Sequence, residues 1–137
     1  MRIVFDSSVY LAAIKPNSYS YELIRKARPG GAYQVYASPE ILIEVKEKLL
    51  SKFDFSIEQA AGFLNFIQRY AILINPSRQI TGVLADLDDH IILECALEAK
   101  ANIIITPDRQ LLKLKKYQDI VIAHPSMLKY WFSSKPF

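Results

Sequence analysis

Two aspartates stand where the sequence predicts that buried β-strands end. Asp6 follows the apolar run 3–5, and Asp108 comes just after the β-branched run 102–106. Because ligands of open parallel sheets bind at the carboxyl ends of the strands, we expect both carboxylates at one edge of a sheet. Each aspartate alone is explained equally well as the cap of the following helix. Two such acids at corresponding strand ends favour a site.

Two further acids border the apolar faces of predicted helices. Glu44 lies beside the stripe formed by Ile41, Val45 and Leu49 in a helix predicted over residues 39–51. Asp89 lies at the start of the helix predicted over residues 88–100, and the apolar residues Ile92 and Ala96 follow it at i+3 and i+7. A carboxylate that faces the interior is costly unless a cation or hydrogen-bond donors meet it. Helix capping and partial solvation remain simpler explanations of each acid taken alone.

The other acids of these helices have simpler roles. Glu40 and Glu47 point away from the apolar stripe, and we interpret both as solvated surface. Glu94 and Glu98 are predicted to face outward on the later helix. Asp88 is explained by helix capping and a favourable interaction with the helix dipole.

Convergence of the four acids predicts a metal-dependent reaction. Four carboxylates without a compensating charge repel one another and raise one another's pKa values, and a divalent cation removes that conflict. The ligands would be oxygen atoms only, and the chain has two histidines and one cysteine, so Mg²⁺ or Mn²⁺ is favoured over zinc. Such ions suit phosphoryl chemistry. Asp86 is a candidate ligand of a second ion.

Strands and helices alternate along the chain. Strands are predicted over residues 3–5, 33–37, 71–74, 102–106 and 120–122, and helices from residue 8 and over residues 21–27, 39–51, 56–70, 88–100 and 125–131. This alternation indicates the α/β class, as a three-layer α/β/α sandwich with a mainly parallel central sheet of four to five strands. Residues 1–137 are expected to form a single domain.

The composition of the chain indicates a globular protein but does not indicate its function. Hydrophobic residues make up 51% of the chain and charged residues 23%, which is typical of a globular protein and argues against disorder. The single cysteine, Cys95, excludes an intrachain disulfide framework, and we expect it in the core. We predict no signal peptide and no membrane span, and therefore a cytoplasmic protein. The net charge of +3 is compatible with a polyanionic partner.

Four blocks in order resemble the PIN-domain family, the PilT N-terminus ribonucleases that include VapC-type toxins. Residues 3–9 are similar to the family opening of hydrophobic residues before Asp-Thr-Asn-Val, and residues 38–45 to the block whose later glutamate is a site acid. Residues 86–96 resemble Asp-Pro-Asp-Asp before a helix, and residues 105–112 resemble Thr-x-Asp-x-x-Leu. The resemblance covers nearly the whole chain and is closest to the branch described as toxins of toxin–antitoxin pairs.

This resemblance implies a metal-dependent endoribonuclease that cuts single-stranded RNA by two-metal-type hydrolysis, leaving a 5′-phosphate and a 3′-hydroxyl. Thr106, together with Ser7, would orient a ligand or a water molecule. The resemblance also implies an antitoxin protein as a partner and a homodimer. Carried over by position, the residues that would hold one or two Mg²⁺ or Mn²⁺ ions are Asp6, Glu44, Asp89 and Asp108.

Departures from the family pattern keep an alternative open. Ser7 and Ser8 replace Thr-Asn, Leu87 replaces Pro, and Gln110 stands where an additional acid is frequent. A catalytically weak or inactive PIN fold that binds RNA or a protein is therefore the alternative function. A receiver domain and a haloacid-dehalogenase-like phosphatase are disfavoured, because serines occupy the positions of their second acids.

Basic residues after Asp108 are candidates for binding RNA. Arg109 and Lys113, followed by Lys115 and Lys116, would contact phosphates that flank the cut, with Ser7 and Ser8 as further substrate contacts. A solvated surface explains the basic residues equally well. The aromatic residues of segments 53–70 and 130–137 are expected mostly in the core, with some in a dimer face or a groove for an antitoxin helix.

Overall fold

The structure is a computed structural model and describes residues 1–77, 79–80, 82 and 87–128. The strands are β1 (Arg2–Phe5), β2 (Gln34–Ala37), β3 (Ala71–Leu73), β4 (Ile103–Ile105), β5 (Lys116–Tyr117) and β6 (Ile120–Ala123). The helices are α1 (Ser7–Ala12), α2 (Tyr19–Arg25), α3 (Pro39–Lys52), α4 (Ile57–Tyr70), α5 (Leu87–Ala99) and α6 (Arg109–Leu114), and a 3₁₀ turn spans Pro125–Met127. In this part of the chain, no helix has the length and apolar character that crossing a membrane requires.

The strands form one sheet in the order β3-β2-β1-β4-β6-β5. The first five in that order are parallel neighbours, while β5 pairs antiparallel with β6. The predicted α/β class with a mainly parallel sheet is therefore confirmed. The strand count of four to five was too low among the described residues, because β5 has two residues and no apolar run that marks it.

The order of the strands reverses between β1 and β4. The chain moves from β1 outward to β2 and β3, then returns past β1 to β4 and continues to β6. Since such parallel crossovers are almost always right-handed, α1 to α4 lie on one face of the sheet and α5 and α6 on the other. Helix α5 packs on β1, β2 and β4, whereas α3 packs on α1 and α4. A crevice is expected where the two directions separate, at the carboxyl ends of β1 and β4.

Local sequence explains how α3 and α4 begin. The Ser38 side chain accepts a hydrogen bond from the backbone N–H of Ile41, and Pro39 occupies the first turn of α3. The predicted capping box of α4 is confirmed, because Ser56 and Gln59 each accept a hydrogen bond from the other's backbone N–H. Both caps satisfy N–H groups that have no partner within the helix.

The core lies on both faces of the central strands. The predicted α3 stripe is confirmed, since Ile41, Val45 and Leu49 are fully buried. Cys95 is buried as predicted, and its burial raises the pKa of the thiol to about 12. The aromatic residues of α4 only partly follow the prediction, because they pack against the core while remaining partly exposed. One of them, Phe66, stacks on Tyr21 with ring centroids 5.0 Å apart.

Several predicted features differ or lie elsewhere. The basic segment after Asp108 forms a short helix, α6, that the sequence analysis did not predict. Residues 125–127 form a 3₁₀ turn, and residues 129–131 of the predicted helix 125–131 lie outside the described residues. Asp86 and the side chain of Asp88 also lie outside the described residues.

Candidate functional site

A cavity of about 400 Å³ opens at the carboxyl ends of β1 and β4. All four acids predicted from the sequence line this cavity, although they come from four separate parts of the chain. Its position is the one that the reversal of strand order predicts. The residues that line it are Asp6, Ser8, Glu44, Glu47, Lys48, Asp89, Pro107 and Asp108.

Asp6 is held at the end of β1 by its backbone and by its side chain. Its N–H donates to the carbonyl oxygen of Ile105 at 3.0 Å, which continues the pairing of β1 with β4. Its Oδ2 accepts a 2.6 Å hydrogen bond from Oγ1 of Thr106, a fully buried residue. The same Oγ1 accepts the N–H of Asp108 at 3.0 Å. One buried hydroxyl thus joins both strand-end aspartates.

Glu44 is held by a second hydroxyl and by a cation. The fully buried Ser7 places its Oγ 3.0 Å from Oε1 of Glu44 and 3.3 Å from Oδ1 of Asp6. Since a hydroxyl has one proton, Ser7 donates to one carboxylate at a time, and the shorter distance favours Glu44. The Nζ of Lys48 lies 2.9 Å from Oε1 of Glu44 and 3.2 Å from Oγ of Ser7.

Asp108 and Asp89 reach the cavity from the starts of two helices. Asp108 is the N-cap of α6, and its Oδ1 accepts the N–H of Gln110 at 2.7 Å. Asp108 therefore caps α6, as its sequence position suggested, and also lines the cavity. Asp89 lies in the first turn of α5 and is 7% exposed, so it is more deeply buried than a residue at the edge of a helix stripe. The helix N-terminus favours its negative charge.

The residues predicted to bind substrate divide into two groups. Ser8 lines the cavity, and its buried Oγ has no hydrogen-bond partner within the part of the chain that the structure describes. Ser7 lies beneath the cavity in the contacts with Glu44 and Asp6. Arg109 and Lys113 are exposed on α6 and are not among the described residues that line the cavity.

Sequence reasoning missed two charged residues of the cavity, Glu47 and Lys48. Glu47 is exposed, as predicted, yet it lines the same cavity as the four acids. Lys48 was not singled out, although it follows Glu44 by four residues, which is the spacing at which side chains meet on a helix. The i,i+4 spacing was the signal that could have found it.

Glu94 and Glu98, which are predicted to face outward, also accept hydrogen bonds from a neighbouring segment. Oε2 of Glu94 accepts the N–H of Ile80 at 2.7 Å. Oε1 of Glu98 accepts both the N–H and the hydroxyl of Ser77, at 2.9 and 2.8 Å. These glutamates hold the segment that follows β3 against α5. The backbone N–H groups of this segment lie outside regular secondary structure and therefore need side-chain acceptors. They lie away from the acidic cavity.

The chemistry of the cavity fits a hard divalent cation. Its candidate ligands are carboxylate oxygens, the type that Mg²⁺ and Mn²⁺ prefer. Glu44 already faces one positive charge, that of Lys48. Among the described residues, no group of three Asp, Glu, His or Cys side chains already converges on one metal position. Asp6, Glu44, Asp89 and Asp108 could hold such an ion after side-chain rotation into the cavity.

Comparison with known proteins gives one family and several similar solved structures. The family described as the PIN domain matches residues 2–110. The structure of VapBC2 from Rickettsia felis, bound to a DNA fragment from its promoter, is similar with a TM-score of 0.62 and 18% identity, covering 90% of this chain and 98% of that chain. VapBC-1 from nontypeable Haemophilus influenzae is similar with a TM-score of 0.60 and 14% identity, covering 89% and 96%. No curated protein matches the chain.

Proposed function

Because the chain belongs to the PIN-domain family, we propose that it is a metal-dependent endoribonuclease that cuts single-stranded RNA. Members of this family are typically nucleases. The observation that carries the proposal is the single cavity lined by Asp6, Glu44, Asp89 and Asp108 at the point where the strand order reverses. Acids from four distant segments have no common structural reason to meet there, and a shared cation supplies one.

Asp6, Glu44, Asp89 and Asp108 would hold one or two ions, with Mg²⁺ and Mn²⁺ as the candidates. When bound, such an ion activates water and stabilises the charge that develops on the scissile phosphate. Thr106 fixes one oxygen of Asp6 through a buried hydrogen bond, and Ser7 contacts Glu44 from below the cavity. These two hydroxyls keep the carboxylates in place, which reduces the reorganisation needed when substrate arrives.

RNA would enter over the cavity and extend across α6. Ser8 lines the cavity, and its Oγ, which is buried in the substrate-free protein, would donate a hydrogen bond to a phosphate oxygen after rotating into the cavity. Exposed Arg109 and Lys113 follow Asp108 on α6 and would bind phosphates that flank the cut. These contacts are with the phosphate backbone and would not depend on the base sequence.

An antitoxin protein is the proposed partner, and the biological role is that of a toxin. Both similar structures are of VapBC pairs, and one of them is bound to promoter DNA. We further propose a cytoplasmic homodimer.

Expression in a heterologous bacterium is expected to stop growth with the wild type and not with Asp6→Asn. Equal growth of both strains, at matched protein levels, would contradict the toxin role, and light scattering of the purified protein tests the dimer.

Cleavage of an end-labelled, unstructured RNA tests the enzymatic proposal. We expect cutting by the wild type with Mn²⁺, no cutting with EDTA or by Asp6→Asn, and products that carry a 5′-phosphate. Glu40→Gln is the matched control, because Glu40 is an exposed acid of the same helix as Glu44 that does not line the cavity. Failure of the folded wild type on several RNAs would contradict the proposal.

A PIN fold that binds without cutting is the second candidate function. Gln110 replaces a frequent acid, and one oxygen of Asp108 already caps α6. Under this alternative the wild type would bind single-stranded RNA or a protein partner with the same affinity with and without Mn²⁺, and no product would form.

A further inference from the structure

Lys48 brings a positive charge of the protein into the acidic cavity. Its Nζ contacts Oε1 of Glu44 and Oγ of the buried Ser7, at 2.9 and 3.2 Å. The side chains of Lys48 and Glu44 are 32% and 18% exposed, so water screens this pair less than an ordinary surface pair. The contact with Ser7, which is 41 residues away along the chain, also distinguishes it from a helix-surface pair that acts only within α3.

Lys48 offsets part of the negative charge of the cavity. Among the described residues that line it are five acids, Asp6, Glu44, Glu47, Asp89 and Asp108, and one basic residue, Lys48. With all of them ionised the lining carries −5 + 1 = −4, and without Lys48 it would carry −5. A divalent cation that approaches Glu44 meets the Nζ of Lys48 at the same carboxylate, and like charges repel.

We propose that Lys48 is a positioning residue that holds Glu44 as its internal counter-ion and competes there with the divalent cation. The inference rests on the metal dependence of the proposed function. The ammonium keeps Glu44 against Ser7 while no ion is bound, and it leaves the carboxylate when the ion binds. Lys48 thereby raises the metal concentration that the site needs and lowers the electrostatic strain of the metal-free cavity.

Two opposite effects of one substitution follow. In EDTA, Lys48→Gln is expected to melt at a lower temperature than the wild type, because Glu44 loses the charge that offsets its neighbours. With Mn²⁺, the same variant is expected to show a larger rise in melting temperature and a dissociation constant lower by roughly three- to tenfold, since the competing charge is gone. A residue with a merely structural role would lower the melting temperature in both conditions and would not tighten metal binding.

The experiment measures Mn²⁺ binding to the RNA-free protein by calorimetry and by thermal shift. Lys48→Arg keeps the charge and is expected to stay within about twofold of the wild-type dissociation constant. Lys46→Gln is the matched control, since it removes the same charge from an exposed position of α3 that does not line the cavity. Asp6→Asn identifies the cavity as the binding place, because its affinity should fall.

The outcomes separate this inference from the proposed function. Binding by the wild type with an unchanged or weaker affinity in Lys48→Gln would overturn the role of Lys48 and leave the metal site standing. Equal tightening in Lys46→Gln would also overturn it, because the effect would then belong to net charge. Absence of Mn²⁺ binding in every variant would overturn both the metal-dependent function and the inference.

Discussion

Two hydroxyl groups position the acids of the cavity. The hydroxyl of Thr106 donates a hydrogen bond to the carboxylate of Asp6 and accepts one from the backbone N–H of Asp108. It therefore links the residues that follow β1 and β4. Ser7 does the same between Glu44 and Lys48. Both hydroxyls are fully buried, and a buried polar group is stable only while its partners remain in place. The carboxylates therefore depend on neighbours that do not themselves line the cavity.

Thr106→Val should weaken both folding and cleavage. Valine keeps the shape of the side chain but removes the partner of the Asp108 N–H, so we expect the free energy of unfolding to fall by about 1–3 kcal/mol. Cleavage should fall because Oδ2 of Asp6 loses the hydrogen bond that holds it. Thr106→Ser, which retains the hydroxyl, should restore most of both quantities in urea titrations and cleavage assays. If serine fails to restore cleavage, the methyl group rather than the hydrogen bond matters.

Asp6→Asn should separate stability from function. The amide retains an oxygen that can accept from Thr106 and removes one negative charge from a cavity rich in acids. We expect the free energy of unfolding to stay equal or to rise, within about 1 kcal/mol, while cleavage is lost. Urea unfolding without metal measures the first quantity and RNA cleavage the second. An unfolded variant would show instead that Asp6 is structural.

Glu44→Gln should impair cleavage far more than Glu40→Gln. Only Glu44 contacts both Ser7 and Lys48 and lines the cavity, whereas Glu40 is exposed one turn earlier on α3. Cleavage rates at saturating Mn²⁺ compare the two variants. Glu47→Gln is expected to have an intermediate effect, because Glu47 lines the cavity from an exposed position. Equal rates for all three would show that the cavity is not the reaction site.

At the scale of elements, α3 contributes more residues to the cavity than any other element of the described chain, namely Glu44, Glu47 and Lys48. It presents an apolar face to the core and, next to that face, Glu44 and Lys48 one turn apart. Its start is fixed by the buried Ser38, which follows β2 directly. The rotation of the helix about its axis therefore depends on the cap as well as on the core, and that rotation determines where Glu44 points.

Loss of the α3 cap should affect both stability and cleavage, while loss of the α4 cap should affect stability alone. Ser38→Ala and Ser56→Ala each remove the acceptor of one backbone N–H, which costs about 1 kcal/mol in the free energy of unfolding. Of these two helices, α3 carries residues that line the cavity and α4 carries none of the described ones, so only Ser38→Ala should also lower the cleavage rate. Equal cleavage by the two variants would show that the core alone orients α3.

At the scale of the whole molecule, burial makes the single thiol inert. Cys95 is fully buried, and desolvation raises its pKa from 9.0 to about 12. A thiol-reactive dye should therefore label the native protein very slowly near pH 8 and label it fully in denaturant. Fast labelling under native conditions would show that the core opens around α5.

The raised pKa of Cys95 also makes the free energy of unfolding fall at alkaline pH. The folded-state pKa lies above the usual value, so the contribution of the neutral thiol is fully present below about pH 9 and is lost as pH rises to about 12. Burial also raises the pKa of Tyr33 to about 12, which acts in the same direction. Urea unfolding at pH 8 and pH 10.5 should show a fall that is smaller in Cys95→Ala. An equal fall would assign the effect to the tyrosines.

The sequence by itself determined the class of the fold and four acids of the cavity. Apolar or β-rich runs bounded by polar residues predicted all five parallel strands, and the uninterrupted apolar runs of β1 and β4 are typical of strands buried on both faces. Strand ends then pointed to Asp6 and Asp108. Helix periodicity gave only weak support for Glu44 and Asp89, and the resemblance to the PIN-domain blocks selected them. Each of these signals is local in the chain, so one sequence was enough to find it.

Only the tertiary structure decided what those side chains meet. The role of Lys48 depends on its contact with Ser7, which is distant in the sequence. Glu94 accepts a hydrogen bond from Ile80, which lies in a connection whose sequence has no periodic pattern. Strand β5 forms because β6 lies beside it and not because its own two residues prefer a strand. Periodicity shows which face of an element is apolar, but it cannot show which distant segment lies against the polar face. That choice depends on the packing of the whole chain.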